Sequence, residues 1–167
     1  MSIEIRLAVP TDYEAVDALI AEAYAFDYGP SSGGSTDGSH LAANRARQFD
    51  VWVAVDRDSG EIVGTITTSS RGTQRLHEDA RPDELDVRLL GVSPRARRQG
   101  IGSQLTEFVT ALARERGFSG VFLKSAPHMT PAHRLYEHLG FRRDHARDGL
   151  WIGGERVFDL RTYVIDV

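Results

Sequence analysis

Arg95-Ala96-Arg97-Arg98-Gln99-Gly100-Ile101-Gly102 stands between Leu90-Gly91-Val92-Ser93-Pro94 and an amphipathic run, and its glycines open the reading of the fold. Charge on a surface loop is ordinary. Glycine at a helix start is not, because it weakens the helix unless the backbone must approach something closely. From Ile101 to Arg116 the apolar residues Ile101, Leu105, Phe108, Val109 and Leu112 recur at helical spacing, and Gly117 falls at the stop position. Upstream, Glu84 to Val92 reads as a strand, with Leu85, Val87 and Leu89 on one face. Glu84, Asp86, Arg88, Leu90 and Val92 fall on the other. A glycine-bearing turn between strand and helix points several main-chain N–H groups one way, and those donors with the helix dipole suit a phosphate. Arg95, Arg97 and Arg98 add positive charge, although a solvated basic turn accounts for these residues equally well.

Outward from this unit, Ile3 to Val9 reads as a strand and Thr11 or Asp12 as the cap of a helix bearing Ala15, Val16, Leu19, Ile20 and Ala23. Residues 27–39 are too rich in glycine and serine for regular structure and fit a binding loop. A short helix is expected over 39–49, then a hairpin of Val51–Val55 and Glu61–Ser69 about a turn at 58–60. Ser70 to Pro82 is a polar connection. Val121 to Leu123 is a buried strand, Pro131 to Leu139 a helix started by a first-turn proline, and the chain returns to strands from Phe141 to Ile165. No internal repeat or linker interrupts this order. The expectation is one mixed α/β domain over residues 1–167.

Composition bounds the function classes. The chain is 41% apolar and 26% charged, as in an average soluble protein, and it has no cysteine, which excludes disulfides and thiolate metal sites. No stretch approaches the roughly 18 apolar residues of a membrane span, and the N-terminus lacks a signal peptide's apolar core, so the expected location is the cytoplasm. A net charge of −4 argues against nucleic acid as the main partner. His128, His133 and His138 are spaced by five, which spreads them around a helix, so no metal site and ordinary surface histidines are expected.

Two phosphate motifs fail. A P-loop needs glycine followed by lysine, and the chain's one lysine is Lys124; a dinucleotide fingerprint would need glycine where Leu105 stands. The Arg97-x-x-Gly100-x-Gly102 spacing after a strand ending Leu90-Gly91-Val92 instead resembles the acyl-CoA signature of the GNAT superfamily, the acetyl-CoA-dependent N-acetyltransferases. Ala132-His133-Arg134-Leu135-Tyr136-Glu137-His138-Leu139-Gly140-Phe141 is similar to that family's second conserved segment, in the same order along the chain. The opening strand at Ile5-Arg6 and the helix after Thr11-Asp12 also resemble the family's beginning.

The resemblance implies a central, mostly antiparallel twisted sheet of about six to seven strands flanked by about four helices. It implies acetyl-CoA as co-substrate, a small-molecule or peptide amine as acceptor, and homodimers as a common assembly. The CoA pyrophosphate would lie on the main-chain N–H groups of Arg98, Gln99, Gly100, Ile101, Gly102 and Ser103, with side-chain charge from Arg97. The pantetheine arm would pair with the backbones of Leu90 and Val92, and the Val92 N–H would polarise the thioester carbonyl. Tyr136 matches the family's acid for the departing thiolate, since a phenol is protonated at neutral pH. An acid on the strand before the turn is the family's common base, and Asp86 stands nearest that place, with Glu84 on the same strand. Met129 occupies the position where many relatives carry an asparagine that contacts pantetheine. A catalytically silent acyl-CoA-binding module and a transferase of larger acyl groups are the other functions consistent with these residues.

Overall fold

The computed structural model describes residues 2–28, 41–70 and 75–167. The first segment gives strand β1 (Ile3–Leu7), a single 3-10 turn (Pro10–Asp12) and helix α1 (Tyr13–Tyr28). Asp12 does not cap α1 in the forward direction. Its carboxylate reaches back to accept the Val9 N–H at 2.8 Å and pairs with Arg6 at 2.7 Å, which holds it below the usual carboxylate range. Val16, Leu19, Ile20 and Ala23 of the expected apolar set are buried, whereas Ala15 faces solvent. Residues 29–40, most of the glycine- and serine-rich stretch, lie outside the described residues. The short helix expected next is α2 (Ala42–Arg45), one turn long, followed by further turns to Phe49.

The hairpin forms as expected, with β2 (Asp50–Asp56) antiparallel to β3 (Ile62–Thr68). Then come β4 (Glu84–Val92), helix α3 (Ile101–Glu115), β5 (Gly120–Ser125) and helix α4 (Thr130–His138). Two-residue β6 (Arg142–Arg143), the hairpin of β7 (Leu150–Ile152) with β8 (Glu155–Phe158), and β9 (Arg161–Asp166) complete the chain. Seven strands make the main sheet in the order β1-β2-β3-β4-β5-β9-β6, antiparallel except for β4 and β5. The mixed α/β architecture, the strand count and the four helices agree with the expectation from sequence.

The α3 stripe is the centre of the core: Ile101, Leu105, Val109 and Leu112 are buried, and Phe108 packs edge-on against Trp52 at 4.9 Å between centroids. Two glycines let the helices approach the sheet. A Cβ at Gly64 would lie 2.9 Å from Ile101 and Leu105 on the α3 side, and one at Gly91 would lie 2.8 Å from Ile20 on the α1 side.

One expectation for β4 fails. Leu89 takes a left-handed conformation (φ 56°), and the register against β3 shifts between Thr65 and Thr67. This bulge resets the alternation, so Leu90 and Val92 join the apolar cluster of Leu85 and Val87 instead of sharing a face with Asp86. It also ends the pairing with β5, whose register runs only from Glu84↔Gly120 to Val87↔Leu123. Beyond that point β4 and β5 part, and the gap between them positions the site.

Candidate active site

The glycine turn begins with Arg98 (φ 62°) and Gly100 (φ 74°), both left-handed, and α3 starts at Ile101 with Gly100 as its N-cap. The first bond inside the helix runs from the Gln104 N–H to the Gly100 carbonyl at 2.9 Å, and among the described residues no side chain caps the start. The N–H groups of Ile101, Gly102 and Ser103 therefore have no acceptor within the helix. They open onto a cavity of about 290 Å³ lined by Leu90 and Val92 of β4, Arg98 and Gly100–Ser103 of the turn, and Leu135 and Tyr136 of α4. Gln99, exposed on the turn, does not line it.

The β4 edge supplies a second set of donors. Ser93 N–H bonds the Val63 carbonyl at 2.8 Å, and antiparallel neighbours bond at alternate residues. The N–H and carbonyl of Val92 consequently point the other way, into the gap left where β5 departs. Tyr136 is buried at 7% exposure, packs its ring against Phe141 and Tyr163 at 5.7 and 5.6 Å, and lines the cavity.

Other sequence candidates sit differently. Arg97 lines the cavity, but both its terminal nitrogens are bonded to Asp27 at 2.8 and 2.9 Å, and the guanidinium lies over the Phe26 ring. Its charge is thus shared with α1. Glu84 is clasped by Arg147 at 2.6 and 2.8 Å and accepts the Arg81 N–H, so neither of its oxygens faces the gap. Asp86 is fully buried: Oδ1 meets His77 Nδ1 at 2.7 Å, and Oδ2 accepts the His77 main-chain N–H at 2.6 Å. The resemblance implied Asp86 or Glu84 as the strand acid serving as base, and here the carboxylates of both are held by these contacts. The burial has a local cause, because the segment from Arg75 to Pro82 folds over that face of β4, and His77 itself is only 7% exposed.

A second cavity of about 800 Å³ adjoins the first, and Tyr24, Arg88, Leu89, Lys124, Ser125 and Met129 border both. The rest of its wall includes Arg75–Glu78 and Leu150–Ile152. Lys124, the single lysine, has a buried side chain whose ammonium is held by Asp79 at 2.9 Å, the Arg147 carbonyl at 2.6 Å and the Thr162 hydroxyl at 2.9 Å. His133 corrects the expectation of surface histidines: it is 5% exposed, stacks on Tyr163 and bonds the Ser125 hydroxyl at 3.1 Å. Burial, with Arg161 nearby, pushes its pKa below the ordinary value. His128 and His138 are exposed, and no group of three or more potential ligands surrounds a metal position among the described residues.

A glycine turn at a helix start, an open strand edge and a helix tyrosine converge on one cavity. The acetyltransferase (GNAT) family model matches residues 15–141. The chain belongs to the GNAT acetyltransferase family. Mycothiol acetyltransferase of Nocardia farcinica is 32% identical over 126 residues, which are 72% of this chain and 39% of that protein. N-acetyltransferase 8 of Mus musculus is 31% identical over 116 residues, 70% of this chain and 44% of its own. The chain thus spans less than half the length of these relatives. Among solved structures, a GNAT-family acetyltransferase from Staphylococcus aureus superposes with a TM-score of 0.76 at 18% identity, covering 99% of both chains. PaiA N-acetyltransferase from Thermoplasma acidophilum, solved with coenzyme A, gives 0.74 at 14% identity over 100% of both. Among the described residues no helix is long and apolar enough to cross a membrane.

Proposed function

We propose that this GNAT domain transfers an acetyl group from acetyl-CoA to a primary amine by direct attack. The observation that carries the reading is the convergence of the Ile101, Gly102 and Ser103 N–H groups, the outward-facing Val92 backbone and Tyr136 on one cavity. The pyrophosphate fits the helix start, where three donors and the dipole meet an anion. The pantetheine arm fits the free edge of β4 from Leu90 to Val92, as an added strand would. The thioester then lies by the Val92 N–H, which stabilises negative charge developing on the carbonyl oxygen. Tyr136 supplies a proton to the leaving sulfur. The amine enters through the second cavity, which meets the first at Leu89, Lys124, Ser125 and Met129.

Thiol release from acetyl-CoA, measured with a panel of glucosamine, spermidine, tyramine, aspartate and an alanyl dipeptide amide, tests this reading. Release that depends on any one of these amines is the expected result. CoA binding without release across the panel points to a silent acyl-CoA-binding module. Release confined to longer acyl-CoA donors points to transfer of a larger group.

A further inference from the structure

We propose that His77 is the general base of the transfer and that Asp86 is the residue that positions it, an inference that rests on the N-acetyltransferase reading above. Both Asp86 oxygens are committed to this one residue, Oδ1 to the ring Nδ1 at 2.7 Å and Oδ2 to the main-chain N–H at 2.6 Å. Ser69 steadies the arrangement from β3's end by accepting the Asp86 N–H at 3.0 Å. A carboxylate can only accept, so Nδ1 carries the ring proton and Nε2 keeps its lone pair. The ring also stands edge-on to Phe122 at 5.7 Å between centroids, which fixes its plane. Among the described residues nothing hydrogen-bonds Nε2, and His77 lines the second cavity. An oriented imidazole with one occupied and one open nitrogen, beside the path of an amine, is a base with its orienting acid.

The chemistry needs such a group. An alkylamine titrates near pH 10, enters mostly as the ammonium at neutral pH, and cannot attack until it loses a proton. Nε2 takes that proton, and Asp86 against Nδ1–H stabilises the imidazolium. The nitrogen lone pair then bonds to the thioester carbon, and the C–S bond breaks with its electron pair on sulfur. Sulfur becomes the thiol with nitrogen's second proton, relayed by the Tyr136 hydroxyl, and His77 returns its own proton to solvent. Among the described residues, Asp86 of β4 pairs with His77, and the charged groups that line the second cavity with it are Arg75 and Glu78 from its own segment, Arg88 from β4 and Lys124 from β5, which Asp79 holds.

The test uses the panel amine with the highest kcat/KM, followed from pH 6 to 10. His77→Gln should lower kcat about 10²-fold at neutral pH, with the deficit closing as pH approaches that of the free amine and with the acetyl-CoA KM unchanged. His77→Ala should regain activity with added imidazole. Asp86→Asn should lower kcat and alter the pH profile, and its loss should not add to that of His77→Gln. A wild-type pH profile in His77→Gln, or losses that simply add, overturns the proposal. If the variants do not fold, ¹⁵N NMR of the wild-type imidazoles decides: the Nδ1–H tautomer at His77 supports the assignment and the Nε2–H tautomer overturns it. A wild-type protein that releases no thiol with any panel amine removes the transferase reading and the base with it, whereas an active wild type with an unaffected His77→Gln removes the base alone.

Discussion

Gly100 and Gly102 look equivalent as letters, yet replacing each should do a different thing. Gly100 has φ 74° and nothing within 4 Å of where a Cβ would lie. Gly100→Ala therefore meets no clash and suffers only the left-handed backbone penalty, about 1 kcal/mol, or roughly 2–4 °C in Tm for a chain of this size. Gly102 has ordinary helical dihedrals, and its Cβ would point between Leu135 Cδ2 at 3.3 Å and Val92 Cγ2 at 3.8 Å. Both neighbours are walls of the cavity proposed for CoA. Leucine's tip can yield, so the fold should tolerate Gly102→Val, but the added methyls occupy the groove and hold an anion away from the N–H groups. Losing two hydrogen bonds to a charged phosphate at about 1.5 kcal/mol each removes about 3 kcal/mol, roughly a hundredfold in Kd. Calorimetric titration of CoA beside thermal melts separates the cases: Gly100→Ala should lose stability and keep its affinity, and Gly102→Val should do the reverse. A folded Gly102→Val protein that binds CoA as wild type does would refute the placement of the pyrophosphate on this turn.

Three further outcomes are expected. Tyr136→Phe keeps the ring packing against Phe141 and Tyr163 and should lower kcat about 10²-fold, the low end of general-acid effects, because a thiolate is already a fair leaving group; an unchanged rate would show that Tyr136 only packs. Lys124→Met strands Asp79, the Arg147 carbonyl and the Thr162 hydroxyl, and should cost about 3 kcal/mol in denaturant unfolding, with under about 1 kcal/mol contradicting a structural latch. His133 titrates below its ordinary 6.5 in the folded chain, so the unfolded chain binds more protons in that range and stability should fall as pH drops below about 6.5. Melts of His133→Gln across that window should show a shallower acid-side decline, and an identical decline would assign it to other groups.

How much of this was legible before the structure depends on where each determinant is encoded. The α3 stripe, the hairpin and the two family segments are local and periodic, and each formed where the spacing placed it. The bulge at Leu89 left no trace, because a leucine in the left-handed region carries none of the signal that glycine would. Without the bulge, strict alternation puts Leu90 and Val92 on the wrong face and hides the reason that β4 leaves β5. His133 departs from the expectation for a related reason: five-residue spacing speaks only to metal ligation, whereas position 133 lies one turn before the buried Tyr136 and shares its inward face.

His77 is the harder case and the more instructive one. It stands in a stretch without periodicity, nine residues from its partner, and only the fold of Arg75–Pro82 over β4 brings the two together. The sequence does hold half of the clue, since Asp86 lies mid-strand between Leu85 and Val87, and a strand sandwiched on both faces cannot leave a carboxylate unpaired. That argument demands a donor without naming one. A main-chain N–H alone would satisfy Oδ2, and a second main-chain N–H or a hydroxyl could have satisfied Oδ1. The fold instead gives Oδ1 to the ring of an imidazole that lines the second cavity. A purely structural clasp has no need of that choice, whereas a base that must keep one tautomer and one orientation does.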